Sequence, residues 1–541
     1  MKTHPFLNNT AIKYKGLTLV LLIVILFTSL AQFASFALIQ QHLISYYGVE
    51  PEDISMSLMV MYAGIISFLP IQFRLLRYFT MRKYLITTLF LGILINIGSF
   101  ATHDIVIFIV LRFFQGIVVG TIVGSMLIVI FSIQPGEKGS LVGSSILFVI
   151  ILTTAAIIGI LSSWVTVNMN WNFTYYGLIS LQILALLICY LIFQPKRQQR
   201  PYPLYQMDWA GGLFFANFSI SLAYVMIYGP KQYWFSSPSI LKTSIFCFVM
   251  LVFFIYRQAT LKRPLIDLRV FKYGKFILGL FLLILFYGIK DTINLIYGYA
   301  GGILGWSSAD VVELGLYNSA GVIIAIWFSV KMILKNKLNV PKLILAGFSL
   351  MVFYNLWMYW SLTPNLSFVD LALPVFIQGL ASGFIFLPVM IFTMSAVPKF
   401  TGFTAIIICA YARFIATLNS ISGFYTLQLN YNNEYREGFL GHLTVEDPNF
   451  IQSSLNNQNL FLSKGYTIDQ ANVLSNIMIN KAAGIQGQLL TNRTIFMIGS
   501  LLLCFAMLLF VGFIIGSKIR TLRNQKSNLR YNTVLLINES E

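Results

Sequence analysis

The sequence predicts an all-α polytopic membrane protein, and three observations predict it. Hydrophobic residues make up 57% of the 541, charged residues only 10%, and the mean hydropathy is +0.78. A soluble globular chain carries about a quarter charged residues. Apolar runs of about 20 residues, the length that crosses a bilayer as a helix, recur along the whole chain. Lys and Arg crowd into alternate connections between those runs, the signature of orientation by positive charge. The net charge of +18 therefore reads as membrane topology. The basic residues have no interleaved aromatics, so nucleic acid is not an expected partner; the lipid bilayer is.

Fourteen spans follow in order, at 17–39, 54–73, 84–102, 105–131, 141–164, 173–193, 210–229, 240–256, 276–297, 309–331, 342–361, 367–394, 402–428 and 494–516. The start, MKTHPFLNNTAIKYKG, has no small-residue cleavage site, so span 1 reads as retained. An even count puts both termini on one side. With the N-terminus inside, the inner connections hold Arg74, Arg77, Arg82, Lys83, Lys196, Arg197, Arg200, Arg257, Lys262, Arg263, Arg269, Lys272, Lys335, Lys337 and the tail KIRTLRNQK. The outer connections 40–53, 298–308 and 361–367 hold no Lys or Arg. The expected location is the cytoplasmic (inner) membrane, multi-pass, with both termini cytoplasmic. One connection is long: 429–493 is polar, Asn- and Gln-rich, and outside. Its second half spaces Ala471, Leu474, Ile477, Met478, Ala482, Ile485 and Leu489 at helical intervals. That predicts an amphipathic helix leading into span 14, either lying on the bilayer or docking an external partner.

An internal repeat divides the chain. FFQGIVVG (Phe113–Gly120) in span 4 and FIQGLASG (Phe376–Gly383) in span 12 share the pattern F-[FI]-Q-G-x-x-x-G. They sit at matching places in two six-span blocks. The expected organisation is an N-terminal half at 1–193, inserted spans 7 and 8 at 194–260, and a C-terminal half at 261–541. Parallel halves with the substrate site between them near mid-depth are a recurring transporter plan. Gly116, Gly120 and Gly124, with Gly379 and Gly383 in the repeat, are expected to let helices approach closely. Arg112 lies one turn before Gly116, on a packed face. It reads either as a structural lock between helices or as a residue that tunes a proton or substrate site.

The chemistry is narrow. No G-x-x-x-x-G-K-[ST], H-E-x-x-H or Cys/His cluster occurs, so no cofactor, metal or enzymatic activity is expected. Cys189, Cys247, Cys409 and Cys504 lie in apolar stretches and read as packing residues. Energy is then expected from protons or another coupling ion, which requires an ionisable group inside the membrane. In span 9, FYGIKDTINLIYG holds Lys290 and Asp291, with Tyr287, Asp291, Asn294 and Gly298 on one helical face. Asp291 is the leading coupling candidate, with Lys290 and Arg112 beside it; the alternative is a static charge cluster. Gln32, Gln115, Tyr287, Asn294 and Arg413 are the cavity candidates, and Arg413 has a carboxylate or an anionic substrate as possible partners. Asp310 and Glu313 follow GWSS and read first as helix-cap residues.

These motifs resemble the major facilitator superfamily, in particular its fourteen-span drug:proton antiporter branch (the EmrB/QacA type). LRFFQG is similar to that branch's span-4 R-x-x-Q-G. MDWAGGLFFA with YGPKQYWFSSP resembles its inserted seventh span and following loop, and KRPLIDLRVFKYGKF its approach to span 9. QGLASGFIFLP and YARFIATLNSISG also fit. The resemblance implies the major facilitator fold, two six-helix halves plus two inserted helices. It implies export of small molecules, with a membrane-fusion adaptor and an outer-membrane channel as partners docking near 429–493. The loop between spans 2 and 3 departs from the family's G-x-L-x-D-R-x-G-R-R: Arg77, Arg82 and Lys83 remain as a cytoplasmic gating loop, but Leu76 stands at the Asp position. The span-5 motif G-P-x-x-G-G reads AAIIGI here, and span 1 lacks an acidic residue. These departures bear on proton coupling, not on fold. Ion-driven export of hydrophobic or amphipathic molecules is the leading expectation. A carrier for a specific metabolite or siderophore-like anion comes next, then a non-transporting sensor or scaffold.

Overall fold

A computed structural model describes residues 5–133, 137–195, 204–398, 401–444 and 446–538. Among these the chain is helical, apart from an isolated bridge between Leu7 and Phe193. Fourteen helices are long and apolar enough to cross a membrane: Lys15–Ala34, Pro51–Leu76, Met81–Ala101, Ile105–Ile133, Leu141–Leu161, Phe173–Ile192, Trp209–Tyr228, Pro238–Thr260, Gly274–Gly302, Ser308–Lys335, Lys337–Ser361, Phe368–Met394, Gly402–Leu440 and Ile468–Ile519. They correspond in order to the fourteen spans expected. Lys196, Arg197 and Arg200, and the side chain of Arg77, lie outside the described residues.

The repeat is visible in the packing. Span 4 lies along span 2, and span 12 lies along span 10. In the first pair a side chain at Gly116 would strike the Met61 carbonyl; in the second, one at Gly379 would strike the Asn318 carbonyl. The two motif glycines thus do the same work in both halves: they bring backbone onto backbone where any Cβ would intervene. The halves meet where span 5 packs along span 10 and span 2 against span 13. Inserted span 7 covers the outer flank of span 2, and span 8 packs on span 7. Only 17% of the most apolar stretch of span 8 is buried in protein, so its apolar surface faces outward, as a lipid-facing helix requires. A buried carboxylate ties this insertion together. Asp208 accepts from the Gly211 amide (2.9 Å), Arg257 Nε (2.5 Å) and Gln258 Nε2 (3.0 Å). Gln258 Oε1 in turn accepts the Leu265 amide at 2.7 Å, so MDWAGG, the end of span 8 and RPLIDL form one knot.

Three elements differ from the sequence reading. Span 9 breaks within its apolar length: Gly274–Lys290 and Ile293–Gly302 are separate helices. Span 13 holds a π-helical segment, Asn419–Gly423, and then runs on as Phe424–Leu440. The expected long connection is largely helical. After Leu440 comes Pro448–Ser463, and then Ile468–Asn538, which includes span 14 without interruption. The amphipathic helix is present, but its seam is narrower than the periodicity implied: Ala471 and Leu489 are buried, whereas Ile477 and Met478 are exposed. Polar composition hid the first outer helix, although neither Gly nor Pro interrupts residues 424–437.

Candidate functional site

Inside the first half, four spans contribute to one buried polar ladder. Arg112 Nη1 donates to Gln115 Oε1 at 2.6 Å. Gln115 Nε2 donates to Gln32 Oε1 and Asn96 Oδ1, each at 2.8 Å. Asn96 Nδ2 reaches Gln32 Oε1 at 3.0 Å and Gln182 Oε1 at 2.9 Å. All five residues are buried, and the Arg112 guanidinium also lies 5.9 Å from the Phe108 ring centre. Low dielectric strengthens such a network and makes each broken link costly. Arg112, Gln115 and Gln32 were expected near a cavity, and the structure joins them to one another. Asn96 and Gln182 were missed; their signal was a lone amide in an otherwise apolar span.

The second half carries charge at its helix break. Lys290 Nζ and Asp291 Oδ1 lie 2.7 Å apart. Neighbours on a regular helix diverge by about 100°, so this pairing depends on the helix ending at Lys290. The carbonyl freed there accepts from Gln378 Nε2 at 2.9 Å, and Gln378 Oε1 accepts from Asn318 Nδ2. The glutamine of the repeated Q-G motif therefore braces an arginine in span 4 and the broken backbone of span 9 through span 12. The break also corrects the expected stripe along span 9. Tyr287 is buried against the cavity, Asp291 is half-buried, and Asn294 and Gly298 are exposed beyond the break.

Between the halves lies a cavity. Its mouth, about 830 Å³, opens beside the span 10–11 turn and includes Lys335 and Lys337. A deeper lobe of about 180 Å³ continues from it, sharing Leu127, Leu147, Phe148, Met390 and Ile406. Phe33, Tyr62, Tyr287, Phe386 and Arg413 line this lobe, with Gly120 and Gly124 from the span 4 motif. The Arg413 guanidinium sits 5.3 Å from the Tyr287 ring centre. Tyr62 packs edge-on to Phe33 and Phe414, at 5.8 and 5.6 Å. Gly383 packs against Val322 and Ala325 of span 10, as Gly120 packs against Ile65 of span 2, but is not among the lining residues. Arg112, Gln115, Gln32 and Asp291 are not among the lining residues.

At the far end, contacts tie the insertion to both halves and the halves to each other. Tyr228 at the end of span 7 donates to Asp53 of span 2, and Lys231 pairs with Glu50. The Glu50 carboxylate holds the Lys231 ammonium above its ordinary range. Ser422 in the π segment donates to the Met226 carbonyl, and Tyr425 reaches Glu52 at 3.5 Å. At the mouth end, Arg74 of span 2 grips the Pro264 carbonyl at 2.6 Å, Arg82 stacks on Tyr190 at 3.7 Å, and Lys83 is exposed. Asp310 forms a capping box with Ser307, accepting its amide at 3.1 Å.

Known proteins bear on this geometry. The chain is 25% identical over 297 residues to "Multidrug export protein EmrB" of Escherichia coli K12, covering 53% of this chain and 55% of that protein. The matched stretch thus spans about half of that relative. It is 22% identical over 404 residues to "Uncharacterized MFS-type transporter YhcA" of Bacillus subtilis, covering 74% and 73%. It is 22% identical over 397 residues to "Fatty acid resistance protein FarB" of Neisseria gonorrhoeae, covering 73% and 75%. Among solved structures, a mutant of the peptide transporter POT in complex with sulfate aligns with a TM-score of 0.54 at 15% identity, over 87% of this chain and 94% of that one; at that identity the likeness speaks for fold. Residues 21–418 match the Major Facilitator Superfamily as a family. With two packed glycine motifs, a cavity between repeated halves and this match over most of its length, the chain belongs to the major facilitator superfamily.

Proposed function

We propose that the chain is a secondary active transporter that exports hydrophobic or amphipathic small molecules by alternating access. The observation that carries this reading is the cavity between the repeated halves, open at the mouth and closed beyond the deeper lobe where span 2 packs against span 13, with Tyr62 on Phe414 and Tyr425 reaching Glu52. Opening the closed end while closing the mouth carries a bound molecule across. The names of the relatives, multidrug export and fatty acid resistance, support an exported amphipathic cargo. The rigid units are taken as 1–193 and 261–541, with 194–260 as the insertion between them. The basic connections support a cytoplasmic mouth, both termini cytoplasmic and an inner-membrane location.

Asp291 is the proposed coupling residue. It is a carboxylate at the helix break within the apolar length of span 9, half-buried and paired with Lys290. Protonating it releases Lys290 and changes the charge beside Tyr287 and Arg413. Arg112 and Gln115 hold the first half rigid through the amide ladder. The outer helices within 429–493 expose Leu455, Val473 and Ile477, a surface suited to a membrane-fusion adaptor that leads to an outer-membrane channel.

The test is efflux of fluorescent amphipathic dyes from cells lacking their own pumps, with and without a protonophore. Wild type is expected to lower dye retention several-fold, and Asp291→Asn to lose the part of the protonophore-sensitive efflux that the pH difference drives, at equal expression. Wild-type efflux by Asp291→Asn rejects the coupling role. Binding without flux in sealed vesicles rejects transport in favour of a sensor.

A further inference from the structure

Among the described residues, the charges that line the cavity are of one sign: Lys335 and Lys337 at the mouth and Arg413 in the deeper lobe, with no described Asp or Glu beside them. Asp291 lies close enough to act on Arg413 electrostatically, but its ion-pair partner is Lys290. The cluster of Lys290, Asp291 and Arg413 therefore keeps one net positive charge with Asp291 ionised. Among the described residues no carboxylate forms an ion pair with Arg413. Its guanidinium carbon lies over the Tyr287 ring, 5.3 Å from the centre, and a guanidinium carries five N–H donors.

From this we infer that the cargo is an amphipathic monoanion whose head group binds Arg413. The inference rests on the transport reading above and names its substrate class. A guanidinium in a mostly apolar wall is costly without a counter-charge. A carboxylate, sulfonate or phenolate head supplies that charge through paired N–H donors. The apolar body then lies against Phe33, Tyr62, Phe148 and Phe386, and the mouth lysines raise the local concentration of anions. The rival is a hydrophobic cation stacked on the same rings. Aromatic faces do attract cations, with about 0.5–2 kcal/mol, but here that cation would sit beside Arg413 with no acidic residue among the described lining of that lobe. Like-charge repulsion opposes that gain.

The full chain, purified in lipid nanodiscs, separates these cases. Three probes share one dansyl-alkyl body: dansyl-undecanoate, its methyl ester, and the chain-matched ammonium. Each is titrated by fluorescence against empty nanodiscs. Wild type is expected to bind the anion at least tenfold more tightly than the ester or the ammonium. Arg413→Gln is expected to bring the anion down to the ester's affinity and leave the ester unchanged, while Arg413→Lys keeps part of the preference. A wild-type protein that binds the ammonium or the ester as well as the anion overturns the inference, whatever the variants do. So does an anion preference that survives in Arg413→Gln. Flux of the same probes in sealed vesicles keeps the two readings apart. Anion-selective binding without flux overturns transport and leaves the site; flux without anion selectivity overturns the site and leaves transport.

Discussion

Gln115 shows how one residue serves several helices. Its amide donates to Gln32 and Asn96 and its oxygen accepts from Arg112, so truncation opens three links at once. Leaving buried partners unsatisfied costs about 1–3 kcal/mol each. Gln115→Ala is therefore expected to lower the melting temperature of the purified protein by several degrees, while Gln115→Glu, which can still accept from Arg112, loses less. Thermal unfolding followed by tryptophan fluorescence reads both. Arg112 and Gln115 were legible in the sequence because a charge and an amide beside repeated glycines stand out from an apolar span. Asn96 and Gln182 were not. A single amide in a span has the same sequence appearance whether it meets a partner or a backbone carbonyl, and only the fold brings four spans together. Arg413 was legible as a deep charge, but its place beside Tyr62 and Tyr287 follows from packing between halves that no local pattern encodes.

At the scale of elements, the fourteen spans were legible because length and hydropathy alone define them. Their interruptions were not. The break in span 9 carries no Pro; Gly288 precedes Lys290, and the freed backbone is satisfied from another helix by Gln378. The π segment in span 13 sits beside that break, with Ser420 Oγ 3.4 Å from the Gly288 carbonyl. Single π turns in α-helices commonly mark functional positions. The insertion acts on the same region from outside, since Lys231 and Tyr228 hold the start of span 2. Lys231→Glu places two carboxylates against each other at the closed end. With Cys189, Cys247 and Cys504 replaced by Ser, the cavity-lining Cys409 reports the outcome. Outer labelling of Cys409 by an impermeant maleimide is expected to rise several-fold in Lys231→Glu and to return toward wild type when Glu50→Lys is added. Unchanged labelling in both would show that this pair does not hold the end shut.

For the whole molecule, the repeat gives two comparable halves and the insertion breaks their equivalence on one flank. The sequence carried the repeat in eight residues and the insertion in MDWAGGLFFA and YGPKQYWFSSP, and the fold joins MDWAGG to RPLIDL, the approach to span 9, through Asp208 and Gln258. It did not carry the shape of the cavity or the cationic lining of its described residues, which arises from residues hundreds of positions apart. That lining has an energetic consequence. A cargo held by Arg413 as a monoanion moves one negative charge outward in each cycle. An interior-negative membrane assists that step by about 2.3 kcal/mol per 100 mV, which is roughly a fiftyfold concentration ratio at about 1.4 kcal/mol per tenfold. In sealed vesicles with a potassium diffusion potential and no pH difference, anion efflux is expected to speed up as the interior is made more negative. Asp291→Asn is expected to keep this response while losing the response to a pH step. The membrane voltage then acts directly on the cargo, so a chain whose antiporter motifs are eroded retains a source of work that needs no proton exchange.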